Sequence, residues 1–400
     1  MMSLGARREL AEATRARYVA AERSAKGRIL DEFVAATGYH RKYAITVLRR
    51  RPAKSQRRRR ASARRYDGNL VAALEKVWRI ASCACAKRLV PLLPDFVEAL
   101  ERHGELALDD HTRQLLLEVS PATADRLLAQ AREQEPQHGR ATTKPGTLLK
   151  ASIPVRTFAQ WDDCRPGFFE VDLVAHCGES TRGEYLHSLD MVDIATRWVE
   201  LVALPNRGQA AVTAAIRQAQ ARLPFALLGL DSDNGAEFIN ANLVRYCREQ
   251  EITFTRCRPY KKNDQAYVEQ KNWTAIRQTV GYDRYEGEAC CRALAELYGP
   301  LRLYLNFFSP VMVLVSKSRD GAKARRHYDR AQTPYQRVLA STQVNDEAKD
   351  LLRGVYLSLN PAELKRQVEA AQERLWSLIR RPGTVSSHDE ATMRSGKISP

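Results

Sequence analysis

The chain has 400 residues, enough for two or three domains that each bury a core, and its 44% hydrophobic and 28% charged content is ordinary for a globular protein. Its formal charge of +17 and pI of about 9.6 are not ordinary, and they ask for a polyanionic partner, either nucleic acid or an anionic membrane surface. With no apolar run of spanning length, no secretory leader and no lipidation motif, the expectation is a protein with no membrane partner that works on nucleic acid in the cytoplasm.

Residues 1–65 read as helical and basic. Ile29, Phe33 and Val34 give the apolar face of one helix, Thr37 and Gly38 a turn, and Tyr43, Val47 and Leu48 the inward face of a second. A glycine in a short turn between two amphipathic helices is the helix-turn-helix pattern, and a plain pair of packed helices is the other reading. His40, Arg41 and Lys42 fall near the start of the second helix, where such helices touch base edges. The flank "RPAKSQRRRRASARR", with Arg57, Arg58, Arg59 and Arg60 at its centre and no acid, favours an arm on phosphates or in a minor groove over a solvated linker.

Residues 66–135 read as a second helical DNA-binding region, broken at Ser120-Pro121, where Ser120 is the N-cap and Pro121 the first helical residue. Residues 136–160, rich in Pro, Gly, Thr and Lys, read as a linker. From 161 to 300 the pattern turns to strands: "GFFEVDLVA", "EYLHSLDMVD" and "RWVELVAL", then a helix "GQAAVTAAIRQAQARL", a strand ending before Asp233, a helix, the strand "ITFTR" and a helix from about Gln265 to Gln278. Hairpin-like strands followed by alternating helix and strand imply a mixed sheet with helices on its faces. Residues 301–380 read as a basic region ending in a helix opened by Asn360 and Pro361, whose seam of Leu364, Val368, Ala371, Leu375 and Leu378 is expected to pack on its own chain, pairing with another subunit being the alternative; residues 381–400 read as a disordered tail. The eight cysteines have no zinc spacing and read as reduced thiols.

Against the basic background, "LDSDNGAEFIN" concentrates Asp231, Asp233 and Glu237 beside an Asn-Gly pair. Such a stretch is commonly a solvated turn, but the preceding "FALLGL" reads as a buried strand, and open α/β sheets place their chemistry at strand ends. Asp172, inside an otherwise apolar strand, needs a cation or donors if buried; a solvated strand face is the alternative, since Glu170 shares its parity. Asp233 is the second candidate acid, with Asp231 its rival, and Glu269 in "YKKNDQAYVEQKNW" is the third, 35 residues separating it from Asp233.

"VDLV", "DSDNGAEF" and "NDQAYVEQKN", in this order and at this interval, resemble the three carboxylate motifs of the retroviral-integrase-type DDE recombinases, and among them the bacterial insertion-sequence transposases. The resemblance covers roughly residues 165–345. It implies an α/β fold, an RNase H-like mixed-sheet catalytic core, here preceded by an all-α helix-turn-helix DNA-binding region. It also implies two Mg²⁺ or Mn²⁺ ions on Asp172, Asp233 and Glu269, with Asn234 and Gly235 as the turn of the second motif, and Lys262, Asn263, Lys271 and Asn272 where substrate DNA would pass. The implied reaction is metal-dependent hydrolysis at transposon ends followed by transfer of the 3′-hydroxyl into target DNA, by a homo-oligomer on DNA in a bacterial cytoplasm, associated with the nucleoid when bound. The chain lacks the His/Cys zinc domain of retroviral integrases, so recognition of the ends falls to the helix-turn-helix region. Two other readings stay open: a catalytically silent domesticated transposase acting as a sequence-specific DNA-binding protein, and an RNase H-type nuclease.

Overall fold

The computed structural model describes residues 2–49, 66–134, 165–233, 235, 237–256, 266–320 and 323–379. The arginine-rich flank at 51–65, the interval 136–160 expected as a linker and the tail at 381–400 lie outside the described residues. The chain divides into two compact units, Met1–Arg65 and Tyr66–Pro400.

The first unit contains α1 (Leu4–Ala20), α2 (Arg23–Thr37) and α3 (Arg41–Arg49). Ala11 and Tyr18 of α1, Ile29, Leu30 and Phe33 of α2, and Ala44 and Leu48 of α3 share its core. Gly38 ends α2 in the left-handed conformation, at φ 69°, and its N–H donates to the Val34 carbonyl at 2.8 Å. That conformation strains any side chain, and it fits the turn expected there. Tyr43, expected to face inward, is 54% exposed; Ala44 and Leu48, one helical turn apart, take the inward positions, and Tyr43 packs edge-on against Tyr39.

The second unit opens with α4 (Gly68–Ile80), α5 (Ala86–Leu89), α6 (Leu93–Arg102), α7 (Asp110–Leu117), α8 (Pro121–Leu127) and α9 (Ala129–Gln134). Ser120 caps α8 as expected, its Oγ accepting the Thr123 N–H at 3.2 Å. These helices do not enclose a core of their own: Trp78, Phe96 and Leu100 pack in one cluster with Trp198, Tyr304, Phe307, Phe308 and Tyr335. Residues 66–134 and the C-terminal region, separated in the sequence reading, therefore fold as one body, because the apolar face of each covers the other.

Five strands form the central sheet: β1 (Phe168–Ala175), β2 (His187–Asp193), β3 (Val199–Leu204), β4 (Gly229–Ser232) and β5 (Thr253–Arg256), in the order β3-β2-β1-β4-β5. The first three run antiparallel, and β4 and β5 run parallel to β1. Helices α10 (Gln209–Gln220) and α11 (Ala241–Glu249) cover one face with Phe169 and Val171 beneath them. The other face, with Val174 and Val192, is covered by α12 (Ala266–Lys271), a π-helical turn at Asn272–Arg277, α13 (Gln278–Val280), α14 (Gly287–Phe307) and the C-terminal α17 (Pro361–Ser377). The boundary drawn at 300 falls inside α14, which continues through Pro300. Between α14 and α17 come a two-stranded ribbon, β6 (Leu314–Asp320) and β7 (Lys323–Tyr328), then α15 (Pro334–Ala340) and α16 (Asp346–Ser358). Leu364, Val368, Ala371 and Leu375 of α17 are buried on the chain itself, while Leu378 is exposed.

Candidate active site

Alternation along β1 sends Glu170, Asp172 and Val174 toward the face covered by α12 and α14. Glu170 is not the mark of a solvated strand. It is buried, and its Oε2 accepts the backbone N–H groups of Tyr267 at 2.9 Å and Val268 at 3.0 Å. A carboxylate on the strand thereby caps the first turn of α12, which carries the third acid, and complements the positive end of that helix.

Asp172 is half-buried, with Oδ1 accepting the Leu173 N–H at 2.8 Å and Oδ2 accepting Asn272 Nδ2 at 2.6 Å. Burial and the neighbouring charge of Asp233 push its pKa up to about 7, and Glu269 adds in the same direction. The helix widens to a π-turn from Asn272 onward, a distortion that is frequent at functional sites.

Asp233 follows the last residue of β4, at the strand end where the sequence placed it. Its Oδ1 accepts the Gly235 N–H at 2.8 Å, and burial, then the Glu237 charge, raises its pKa. Gly235 is needed for close approach: a Cβ there would lie 2.6 Å from the Glu237 carboxyl and 2.8 Å from Asp233 Oδ1. Asp231 is one pleat deeper, level with Glu170, and its Oδ1 accepts the Thr255 hydroxyl at 2.6 Å. The carboxylates whose charges act on Asp172 are Asp233 and Glu269.

Glu269 is exposed on α12. Asp172, Asp233 and Glu269 thus come from a strand, a strand end and a helix, the first two half-buried and the last exposed. Among the described residues no group of three or more His, Cys, Asp or Glu side chains stands in an arrangement that would by itself hold a metal ion. The donor chemistry nevertheless fits a hard divalent cation: all three candidate side chains are carboxylates, and the charges of Asp233 and Glu269 destabilise the ionised Asp172, a penalty that a dication would reverse.

Lys271, expected along the path of DNA, is buried at 7% exposure. Burial lowers its pKa to about 8 against the opposing pull of Asp190. Asp190 lies opposite Asp172 in the β1–β2 register, is fully buried, and neither of its carboxylate oxygens has a hydrogen-bond partner among the described residues. Burial pushes its pKa well up, with Lys271 opposing. Asn272, expected on the same path, instead holds Asp172. In the first unit His40, Arg41 and Lys42 are all exposed, and Arg41 pairs with Asp31. Asn234, Arg57, Arg58, Arg59, Arg60, Lys262 and Asn263 lie outside the described residues.

The sequence reading missed Glu170 as a helix cap and Asp190 altogether. The signal for Asp190 was present, since alternation in "HSLDMVD" puts it on the same face as Ser188 and Val192.

A mixed sheet in the order 3-2-1-4-5, with acids on its first strand, at the end of its fourth and on the following helix, is the RNase H-like fold of an integrase catalytic core. The family model for the integrase core domain matches residues 162–262, which includes Asp172 and Asp233 and ends short of Glu269. The chain is similar to the uncharacterized protein y4rM of Sinorhizobium fredii (strain NBRC 101917 / NGR234), 45% identical over 328 residues that span 82% of this chain and 93% of that protein. It belongs to the integrase and DDE transposase superfamily, whose members are enzymes of the nucleotidyl-transferase type that generally use divalent metals.

Among solved structures, the catalytic core domain of BIV integrase is 18% identical, covering 42% of this chain and 91% of that one at a TM-score of 0.27. A simian T-cell lymphotropic virus intasome in complex with PP2A regulatory subunit B56 gamma is 16% identical, covering 46% and 59% at a TM-score of 0.26. At those scores the likeness carries no argument of its own.

Proposed function

We propose that this protein is a DNA transposase. Water hydrolyses a phosphodiester at each end of a mobile element, leaving a 3′-hydroxyl on the element. That hydroxyl then attacks a target phosphodiester in line, forming the new P–O bond and releasing a 3′-hydroxyl on the target strand. The observation that carries the reading is the convergence of three carboxylates from separate elements, the charges of Asp233 and Glu269 adding to burial in raising the pKa of Asp172.

Two Mg²⁺ or Mn²⁺ ions on these acids would activate the attacking oxygen and stabilise the leaving one. The chain's own contribution is positioning. Asn272 fixes the Asp172 carboxylate, the Gly235 N–H fixes Asp233, and Glu170 fixes the helix that bears Glu269. No nucleophilic side chain is required, so no covalent protein intermediate forms. His40, Arg41 and Lys42 are exposed at the start of α3, where they would read the element's ends, with Arg57, Arg58, Arg59 and Arg60 on phosphates and Lys262 and Asn263 near the cut strand. The enzyme works as a homo-oligomer on DNA in the cytoplasm; among the described residues no helix is long and apolar enough to cross a membrane.

The test uses purified full chain, a labelled duplex carrying the terminal sequences that flank its gene, and plasmid target with Mg²⁺ or Mn²⁺. The reading expects nicking that exposes the 3′ end and products in which that end is joined to target. Specific binding with no cutting would favour the silent DNA-binding protein, and cutting of RNA–DNA hybrids without joining would favour the nuclease.

A further inference from the structure

The β6–β7 ribbon has no role in the site, and its composition and surroundings are unusual. It carries Lys317, Arg319, Lys323, Arg325 and Arg326 against Asp320 alone. The strands pair antiparallel with Lys317 opposite Arg326, and a register shift falls between Leu314 and Ser316. Like charges directly opposite each other destabilise an antiparallel pair, and a two-stranded hairpin without a packed face is marginal on its own.

No packed face exists here among the described side chains. Leu314, Val315 and Ser316 on one strand and Arg326, His327 and Tyr328 on the other are all exposed at consecutive positions, so both faces are open at these positions. The base of the ribbon, in contrast, is tied down. The Val313 N–H donates to Asp329 Oδ1 at 2.6 Å, and Arg337 of α15 bonds Asp329 Oδ2 at 2.7 Å and the Val311 carbonyl at 3.1 Å.

We propose that the ribbon is a DNA-binding arm that lies in the major groove of duplex DNA held by the catalytic unit. A major groove admits a two-stranded ribbon, and a polyanion on both sides turns the repulsion between facing cations into attraction. The anchored base fixes where the arm leaves the catalytic unit. The register puts Lys317, Arg319 and Arg326 on one face and Lys323 and Arg325 on the other, so both faces carry charge for phosphates on either groove wall, and the arm contributes affinity more than base selectivity. The proposal deepens the transposase reading and rests on it for the choice of partner.

The experiment measures binding of the full chain to a 30-base-pair duplex by fluorescence anisotropy over a salt series. The variant replaces Lys317, Arg319, Arg325 and Arg326 by Ala; a second replaces the three arginines by Lys. Each lost phosphate contact reduces the slope of log K against log salt by about 0.9, so the alanine variant is expected to flatten it by up to about 3.6 and to weaken binding at least tenfold at moderate salt. The lysine variant keeps the charge and is expected to keep the slope. Unchanged melting of both variants shows that the body is intact. An alanine variant with an unchanged slope overturns the arm, and so does one that changes the oligomeric state while leaving the slope alone, which would make the ribbon a protein interface. Failure of the transposase reading is distinguishable: wild type would then bind DNA with the ribbon-dependent slope yet neither cut nor join it.

Discussion

Replacing Glu170 by Ala removes the acceptor for the Tyr267 and Val268 N–H groups, at 2.9 and 3.0 Å, and leaves the buried start of α12 uncapped. Each orphaned buried donor costs about 1–3 kcal/mol, partly offset because a buried carboxylate is removed, so a net loss of about 2–4 kcal/mol is expected. Arg197, whose guanidinium lies over the Tyr267 ring with its charge opposed by Glu170, loses a compensating partner in the same step. Glu170→Gln keeps an oxygen acceptor and forfeits only the charge at the helix end, for which about 1 kcal/mol is expected. Urea unfolding of the full chain measures both losses. Strand joining measures their consequence, because a loosened α12 misplaces Glu269: the alanine variant should join at least tenfold more slowly at saturating DNA, with DNA affinity unchanged, and the glutamine variant should recover most of the rate. An alanine variant within about 0.5 kcal/mol of wild type and joining at the wild-type rate would refute the capping role.

Lys271→Ala should destabilise the fold by roughly 3–5 kcal/mol by leaving buried Asp190 without its opposing charge, yet leave the salt dependence of DNA binding unchanged. A slope reduced by about 0.9 in that variant would place Lys271 on a phosphate instead. His176 is fully buried, bonded to Ser188 at 2.7 Å, and burial lowers its pKa from the ordinary 6.5 to about 3. Because the folded state resists its protonation, the stability it contributes is complete above pH 6.5 and falls with pH toward 3, by about 1.4 kcal/mol per unit. Chemical unfolding of His176→Gln between pH 6 and 4 should show a shallower acid loss than wild type, and equal slopes would contradict the assignment. Gly235→Ala forces a Cβ against Asp233 and Glu237, and should cut the joining rate at least tenfold with little change in melting temperature; wild-type kinetics would show that the turn yields freely.

The succession of strands and helices along the core, and the place of Asp172 on a strand and of Asp233 just past one, were readable because both depend on local pattern. Alternation in "GFFEVDLVA" puts Glu170 and Asp172 on one face, and the turn chemistry of "DNG" stops β4 just before Asp233. What escaped the reading depends on which face a neighbour covers. Val268, Lys271, Asn272, Ala275 and Ile276 follow a helical spacing of three and four, so Lys271 occupies a core-facing position; its charge suggested a surface residue, and only the facing Asp190 explains its burial. The boundary drawn at residue 300 cuts α14, whose packing against the sheet and α17 holds the helix through Pro300. The union of residues 66–134 with the C-terminal helices joins segments some two hundred residues apart, as in the bond from Tyr304 Oη to the Ile80 carbonyl, and no local pattern reports such a contact.

The central claim, that Asp172, Asp233 and Glu269 act together as the metal-holding acids of a strand-transfer enzyme, is tested most directly by one substitution series. Asp172→Asn, Asp233→Asn and Glu269→Gln are each assayed for cleavage and joining in Mg²⁺ and Mn²⁺, alongside DNA affinity and Asp231→Asn as the comparison. The account predicts loss of at least a thousandfold in both steps for each of the three, DNA affinity within twofold of wild type, and residual activity in Asp231→Asn. Joining retained by Glu269→Gln would contradict the account, and activity retained by Asp233→Asn but lost in Asp231→Asn would move the second acid to Asp231.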